Sequence, residues 1–166
     1  MGLIIGAVTT ATLTVALGSL LRPVEPRPVQ TGLVLATALF VVAGDCGLHR
    51  ITLPHRRAQV PSTVIAAGGD AGALRFGFEM GCGARTHMPS NLPYLPLVTV
   101  LLVSSWPAAL VTGLGFGLGR AAMALGRHHS RDGTWWDHQW RHHERPLRIA
   151  LALAAALVAG ALVLLP

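Results

Sequence analysis

Three stretches of the chain are apolar all round, with no polar stripe. Residues 3–21 contain no charge, residues 31–43 are equally clean and continue to Leu48 through Asp45 and Cys46, and residues 149–165 are almost pure Ala, Leu and Val. A helix with no polar face belongs in a protein core or a bilayer, and crossing a hydrocarbon core of roughly 30 Å takes about 20 residues. The pattern predicts transmembrane helices over about 3–21, 31–48 and 148–165. A secretory signal peptide is the other reading of the first run, but the run lacks a positively charged start and is as long as a span.

The region from 50 to 126 admits two readings. In one, a single helix crosses after Leu92 and the chain has four spans. In the other, residues 71–103 form one broken span, Ser104-Ser105-Trp106-Pro107 turns, and residues 108–125 return, which makes five. The stretch from Pro93 to Leu125 is long for one span, and Pro107 interrupts it, because proline removes a backbone donor and clashes with the preceding turn. Charge favours five. Arg22 and Arg27 then lie on one side, while Arg50, Arg56, Arg57, Arg120, Arg127, Arg131, Arg141, Arg145 and Arg148 lie on or near the other, nine against two. Four spans would divide the arginines eight against five. Cytoplasmic loops carry the excess of basic residues, so five spans predict a cytoplasmic N-terminus. The expected architecture is an all-α polytopic transmembrane helix bundle, a single integral membrane domain with about five spans, one of them broken at Pro89–Pro96.

Composition agrees with this class: 52% of residues are hydrophobic and only 12% are charged, a balance foreign to soluble domains. All thirteen cations are Arg. A nucleic-acid surface would cluster them with aromatics on a soluble module; here most flank apolar runs. The expected partner is the lipid bilayer, with a homodimer or a membrane partner subunit as further possibilities and no nucleic acid. No phosphate-cradling Gly-Lys-Ser loop, dinucleotide fingerprint, Cys-x-x-Cys pair or serine elbow is present in the sequence, so no cofactor is expected and enzymatic activity stays open.

The broken span carries the candidate chemistry. Arg75 and Glu79 are four apart and share a helix face; a lone charge at membrane depth costs roughly 2.5–3.5 kcal/mol, so the two should pair and face the bundle interior. Gly77, Gly81 and Gly83 suit close helix contact. Pro89, Pro93 and Pro96 stop regular helix, Ser90 and Asn91 can bond the freed backbone groups, and Arg85 and His87 fall at the break, where half-helix ends expose unpaired amides and carbonyls. Arg75, Glu79, Arg85, His87, Ser90 and Asn91 are therefore the expected substrate-binding residues. The same polar residues could instead serve assembly.

Pro89-Ser90-Asn91-Leu92-Pro93-Tyr94-Leu95-Pro96, following a Gly-rich half-helix, resembles the Pro-Cys-x-x-Pro break of the transmembrane thiol-disulfide carriers of the cytochrome c biogenesis and DsbD type. The Gly-rich run from Gly113 to Gly119 is similar to their packing helices. The resemblance covers about a third of the chain. It implies a small polytopic carrier of the bacterial inner membrane, related to transporters built from three-helix inverted repeats. Ser90 stands at the position matching the family's reactive cysteine, and a hydroxyl does not exchange disulfides.

Cys46 and Cys82 are the redox candidates. Inert packing, a redox pair and metal ligation are all open for them, since distance cannot be read from sequence. Asp45 and His49, four apart, are expected on one helix face, where they could relay protons, bind a cation or simply mark the wet end of the span. In the segment 130–146, His138 and His142 at i,i+4 are candidate metal ligands. The interleaved arginines oppose a cation, and Trp136, Trp140 and His143 fall on one stripe. With Asp137–Arg141 and Glu144–Arg148 at favourable i,i+4 spacing, the segment reads better as an amphipathic interfacial helix suited to anionic lipid.

The sequence thus predicts a transporter-like or carrier-like membrane protein working at a broken polar helix. The alternatives are a non-catalytic membrane subunit or scaffold and, third, a membrane thiol-redox or His-rich metal-handling protein.

Overall fold

The computed structural model describes residues 1–54, 69–83, 90–130 and 132–164. All regular structure among these residues is helical: α1 Gly2–Leu21, α2 Arg27–Asp45, α3 Gly69–Gly81, α4 Tyr94–Leu102, α5 Trp106–His129 and α6 Gly133–Leu164. Four of them, α1, α2, α5 and α6, are long and apolar enough to cross a membrane. The chain is a multi-pass helical membrane protein whose leucines and valines, such as Leu13, Leu39, Val111 and Leu157, stay exposed on the helix surfaces, as residues facing lipid would. The helices belong to two compact units.

The first unit comprises Met1–Leu13 with the described parts of Pro54–Met88 and Trp106–Arg131. Its packing rests on residues without side chains. The buried residues of α3 are Gly72, Gly77 and Gly81, and those of α5 are Ala109, Gly113 and Gly117. Helix α3 runs parallel to the start of α1: Gly2 lies against Leu74, Gly77 and Phe78, and Gly6 against Phe78, Gly81 and Cys82. Helix α5 runs antiparallel, Gly113 meeting Ala7 and Ala11 and Gly117 meeting Leu3 and Ile4. A Cβ added to Gly117 would sit 2.7 Å from the Ile4 Cα, and one on Gly81 would collide with the Leu3 carbonyl. Lipid supplies no hydrophobic drive between helices, so small residues that let backbones approach supply van der Waals contact instead. Gly77 and Gly81 thus take the packing role expected of them against α1, where Gly2 and Gly6 face α3, and Gly113 and Gly117 play the same part between α5 and α1.

The second unit comprises Thr14–Leu53 with the described parts of Pro89–Ser105 and Asp132–Pro166. Helix α2 is its centre. Its buried residues are Gln30, Val34, Ala38, Val41 and Asp45, a stripe at helical spacing with an apolar middle and a polar residue at each end. Val34, Ala38 and Val41 pack with Leu95 and Leu102 of α4 and with Ala152 and Ala159 of α6. At the N-terminal end, the Gln30 amide donates to the carbonyls of Arg22 (3.1 Å) and Glu25 (2.8 Å), fixing the proline-bearing turn before α2. Pro26 is extended there, with a proline in the first helical turn where its missing N–H costs nothing.

The other end of α2 stops at a glycine. Gly47 has φ +88°; its N–H donates to Gly44 C=O (3.0 Å) and the Leu48 N–H to Ala43 C=O (2.9 Å). This is the paired bond pattern of a Schellman cap, which requires a left-handed residue at that position. Helix α2 therefore ends at Asp45 rather than Leu48, and Asp45 and His49 do not share a helix face.

Of the expected break over Pro89–Pro96, Pro89 lies outside the described residues, and residues 90–93 are non-helical. Helix α3 already ends at Gly81, with Gly83 at φ +71°, and α4 begins at Tyr94. Pro96 lies inside the first turn of α4, where backbone N–H groups have no helical partner to lose. The last turn of α4 is closed from the turn that follows α1: Arg22 Nε donates to Leu101 C=O (3.3 Å) and Nη2 to Val100 C=O (3.3 Å). Thr99 C=O accepts the N–H groups of Val103 and Ser104.

Helix α6 continues without interruption through Pro146. At roughly 1.5 Å per residue its 32 residues span about 48 Å, well beyond a bilayer core. The segment expected as an interfacial helix feeding the last span is the first part of this one element. Asp132 caps it, its Oδ1 accepting the Thr134 hydroxyl (2.5 Å) and the N–H groups of Thr134 (2.8 Å) and Trp135 (3.3 Å).

Candidate functional site

Asp45 is the last residue of α2 and the lower end of its buried stripe, with its side chain 6% exposed. Two partners hold it. The Ser90 hydroxyl donates to Oδ2 at 2.8 Å, and the Arg148 Nε lies 3.6 Å from Oδ1. Ser90 is fixed in turn, because its Oγ accepts the Leu92 N–H at 3.0 Å, a bond that starts the turn into α4. Arg148 projects from α6 and also faces Glu144, one turn earlier, at 3.8 Å. Arg145 reaches over the Gly47 turn, its Nη2 3.9 Å from where a Cβ on Gly47 would stand. One carboxylate, one hydroxyl and one guanidinium thus meet where α2 ends, α4 starts and α6 passes.

The segment after α2 is tied down beside this cluster. Asn91 donates from Nδ2 to Ile51 C=O (2.8 Å) and accepts the Leu53 N–H on Oδ1 (2.9 Å), so its amide pairs with the extended backbone as a neighbouring strand would. His49 folds back on α2. Its ring stacks on Phe40 at 4.3 Å, Nε2 donates to Phe40 C=O (2.8 Å) and Nδ1 accepts the Ile51 N–H (3.2 Å). These two bonds require the tautomer protonated on Nε2. His49 is thus occupied in shaping the loop and does not share the Asp45 carboxylate.

The remaining residues singled out by sequence are scattered. Arg75 and Glu79 form the expected i,i+4 ion pair, 3.3 Å apart, in the first unit; the arginine is 70% exposed and the glutamate 18%. Arg85 and His87 lie outside the described residues. Cys46 and Cys82 are free, half-buried thiols. Cys46 is the C-cap of α2, whereas Cys82 belongs to the first unit, where its Sγ–H donates to Gly6 C=O at 3.4 Å. His138 and His142 stand exposed on α6, and among the described residues no group of three or more His, Cys, Asp or Glu side chains is arranged to hold a metal ion. The His142 ring meets His143 edge-on at 4.9 Å. Outside the spans, Asp132 is held below the ordinary carboxylate range, first by the Thr134 hydroxyl and then by the amides it caps.

No family model, curated protein or solved structure matches this chain.

Sequence reasoning marked Ser90 and Asn91 as site residues and weighed Asp45, but it missed Arg148 as their partner. The available signal was position: Arg148 is the last cation before an uncharged run to the end of the chain. An arginine there must find an anion or reach water.

Proposed function

We propose that the chain is a small membrane carrier whose working centre is the Asp45–Ser90–Arg148 cluster. The observation that carries this reading is the Asp45 carboxylate, 6% exposed, held by a hydroxyl and a guanidinium at the non-helical entrance to α4. Ionisable groups within membrane segments are costly and sit where substrates or ions pass. Transporters place their sites where helices are interrupted, because only there do backbone and short polar side chains become available to a solute. Ser90 and Asn91 supply both features here.

The kinship in architecture with the thiol-disulfide carriers belongs to the same proposal, with Ser90 acting through its bond to Asp45 in place of sulfur chemistry. So does the crossing made by the region holding α3 and α4, which gives five passes. The excess of arginines on one side supports an N-terminus in the cytoplasm, the carrier resemblance supports a bacterial inner membrane, and the modest number of helices suits a homodimer.

Purified protein in proteoliposomes on a solid-supported membrane tests the reading. A panel of small solutes and cations should include one that drives a transient current, and Asp45→Asn should abolish that current while leaving insertion intact. If nothing in the panel moves charge and the chain instead co-purifies stoichiometrically with another membrane subunit, the scaffold reading replaces it.

A further inference from the structure

Arg148 lies between two carboxylates of unlike surroundings. Asp45, 3.6 Å from its Nε, is 6% exposed; Glu144, 3.8 Å from its Nη1, is 39% exposed. Glu144 is one helical turn before Arg148, so an i,i+4 pair between them survives whatever happens at α2. The guanidinium can leave Asp45 without becoming an isolated charge, since its second seat is already in contact.

What would take its place follows from what remains. Asp45 closes α2, and the C-terminal end of a helix carries about half a negative charge from its aligned peptide dipoles. Carboxylate and dipole together prefer a cation, and the arginine itself is a tethered one with a single positive charge. The ligands left at the site are oxygens, the Asp45 carboxylate and the Ser90 hydroxyl, whose Oγ is held in place by the Leu92 N–H. Hard oxygen ligands suit alkali and alkaline-earth cations over softer metals, and one-for-one charge replacement selects a monovalent ion.

We propose that Asp45 and Ser90 form a site for a small monovalent cation such as sodium, and that Arg148 is its built-in competitor, moving to Glu144 when the ion binds. This rests on the carrier reading and names its coupling ion. Glu144 is then a positioning residue that never touches the cation. Its carboxylate sets how readily Arg148 gives way, and through that the affinity of the site.

Thermal unfolding of the full chain in detergent, at fixed pH and ionic strength, tests this with sodium exchanged against N-methylglucamine. Sodium should raise the midpoint in a saturable way, and Asp45→Asn should remove the rise. Loss of the second seat in Glu144→Gln should weaken sodium about fivefold, and loss of the competitor in Arg148→Gln should tighten it about tenfold, within the usual span of such coupling. Should Arg148→Gln fail to fold, Arg148→Lys is expected to tighten sodium in the same direction, because a point-charge ammonium on a shorter-reaching stem holds the Asp45 carboxylate less firmly than the guanidinium.

A rise that N-methylglucamine reproduces, or that follows chloride when gluconate is the counter-ion, would overturn the site. Unchanged sodium affinity in Glu144→Gln would overturn the competition. Charge movement without a sodium effect would leave the carrier reading standing and remove this one; a sodium effect lost in Asp45→Asn but without charge movement would do the reverse.

Discussion

Two ion pairs of opposite character, drawn from different units, invite comparison. Arg75–Glu79 lies along one helix with its arginine 70% exposed. Arg148–Asp45 joins two helices and has its carboxylate 6% exposed. The units around them differ in the same sense. The first is closed by glycines that let backbones touch, and its ion pair lies along a single helix. The second is closed by side chains, Val34, Val41 and Leu95 among them, and puts a charge at the end of its buried stripe. A surface pair gains little Coulomb energy and is screened. A buried pair gains more but only offsets the desolvation of its members. Keeping such a pair where Val or Leu would pack needs a reason other than stability, and function is the reason proposed here.

The comparison breaks first at the glycines. Gly81→Leu should prevent the first unit from closing, a loss of roughly 3 kcal/mol or more from overpacking, because its side chain would run into the backbone of Leu3. Gly115→Leu on α5, where a Cβ meets nothing within 4 Å, should stay within about 0.5 kcal/mol. Reversible unfolding in mixed detergent micelles reads both.

The next largest effect is expected in the second unit. Arg148→Ala strands the Asp45 carboxylate; breaking a buried pair costs about 3–5 kcal/mol, and the arginine's 30% exposure brings the expectation toward about 2–3 kcal/mol. The double replacement Asp45→Asn with Arg148→Ala should recover most of that loss. By contrast, Arg75→Ala should cost only about 0.2–0.5 kcal/mol, the usual worth of an i,i+4 pair. A double-mutant cycle on each pair would place them on one scale, and equal coupling energies would erase the contrast.

The smallest effect is acid sensitivity at the start of α6. The carboxyl of Asp132 is lowered by its bonds to Thr134 and Trp135. A lowered carboxylate contributes stability that is complete above its unfolded value of about 3.9 and is lost as pH falls through the lower folded value. Fraying of the Trp135 end should thus appear only below about pH 4, and Asp132→Asn, which can still accept the capping bonds, should remove that pH dependence. Tryptophan fluorescence during an acid titration follows it.

How legible these features are in the sequence depends on how far apart the partners lie. Helices α1, α2, α5 and α6 could be read from apolar runs, and Arg75–Glu79 from i,i+4 spacing, because both are local. The glycine role could be read for Gly77 and Gly81, though the facing glycines of α1 could not be matched to them without the fold. The end of α2 escapes the sequence for a local reason: Gly47 stops the helix with a left-handed turn inside a run that is apolar enough to continue, and periodicity does not register a cap. Pro96 reads as a breaker because composition alone does not say that it falls in a first turn, where a helix accepts proline without losing a hydrogen bond. The Asp45 site was legible only in parts. Ser90 lies 45 residues from Asp45 and Arg148 is farther still, so each residue was visible as a polar intrusion and their meeting was not.

The most direct test of the account is charge movement in proteoliposomes holding the wild type, Asp45→Asn or Glu79→Gln, each confirmed as inserted and folded. The account predicts that Asp45→Asn is silent while Glu79→Gln keeps the wild-type current. A current that survives Asp45→Asn and disappears in Glu79→Gln would contradict it and move the working centre to the glycine-packed unit.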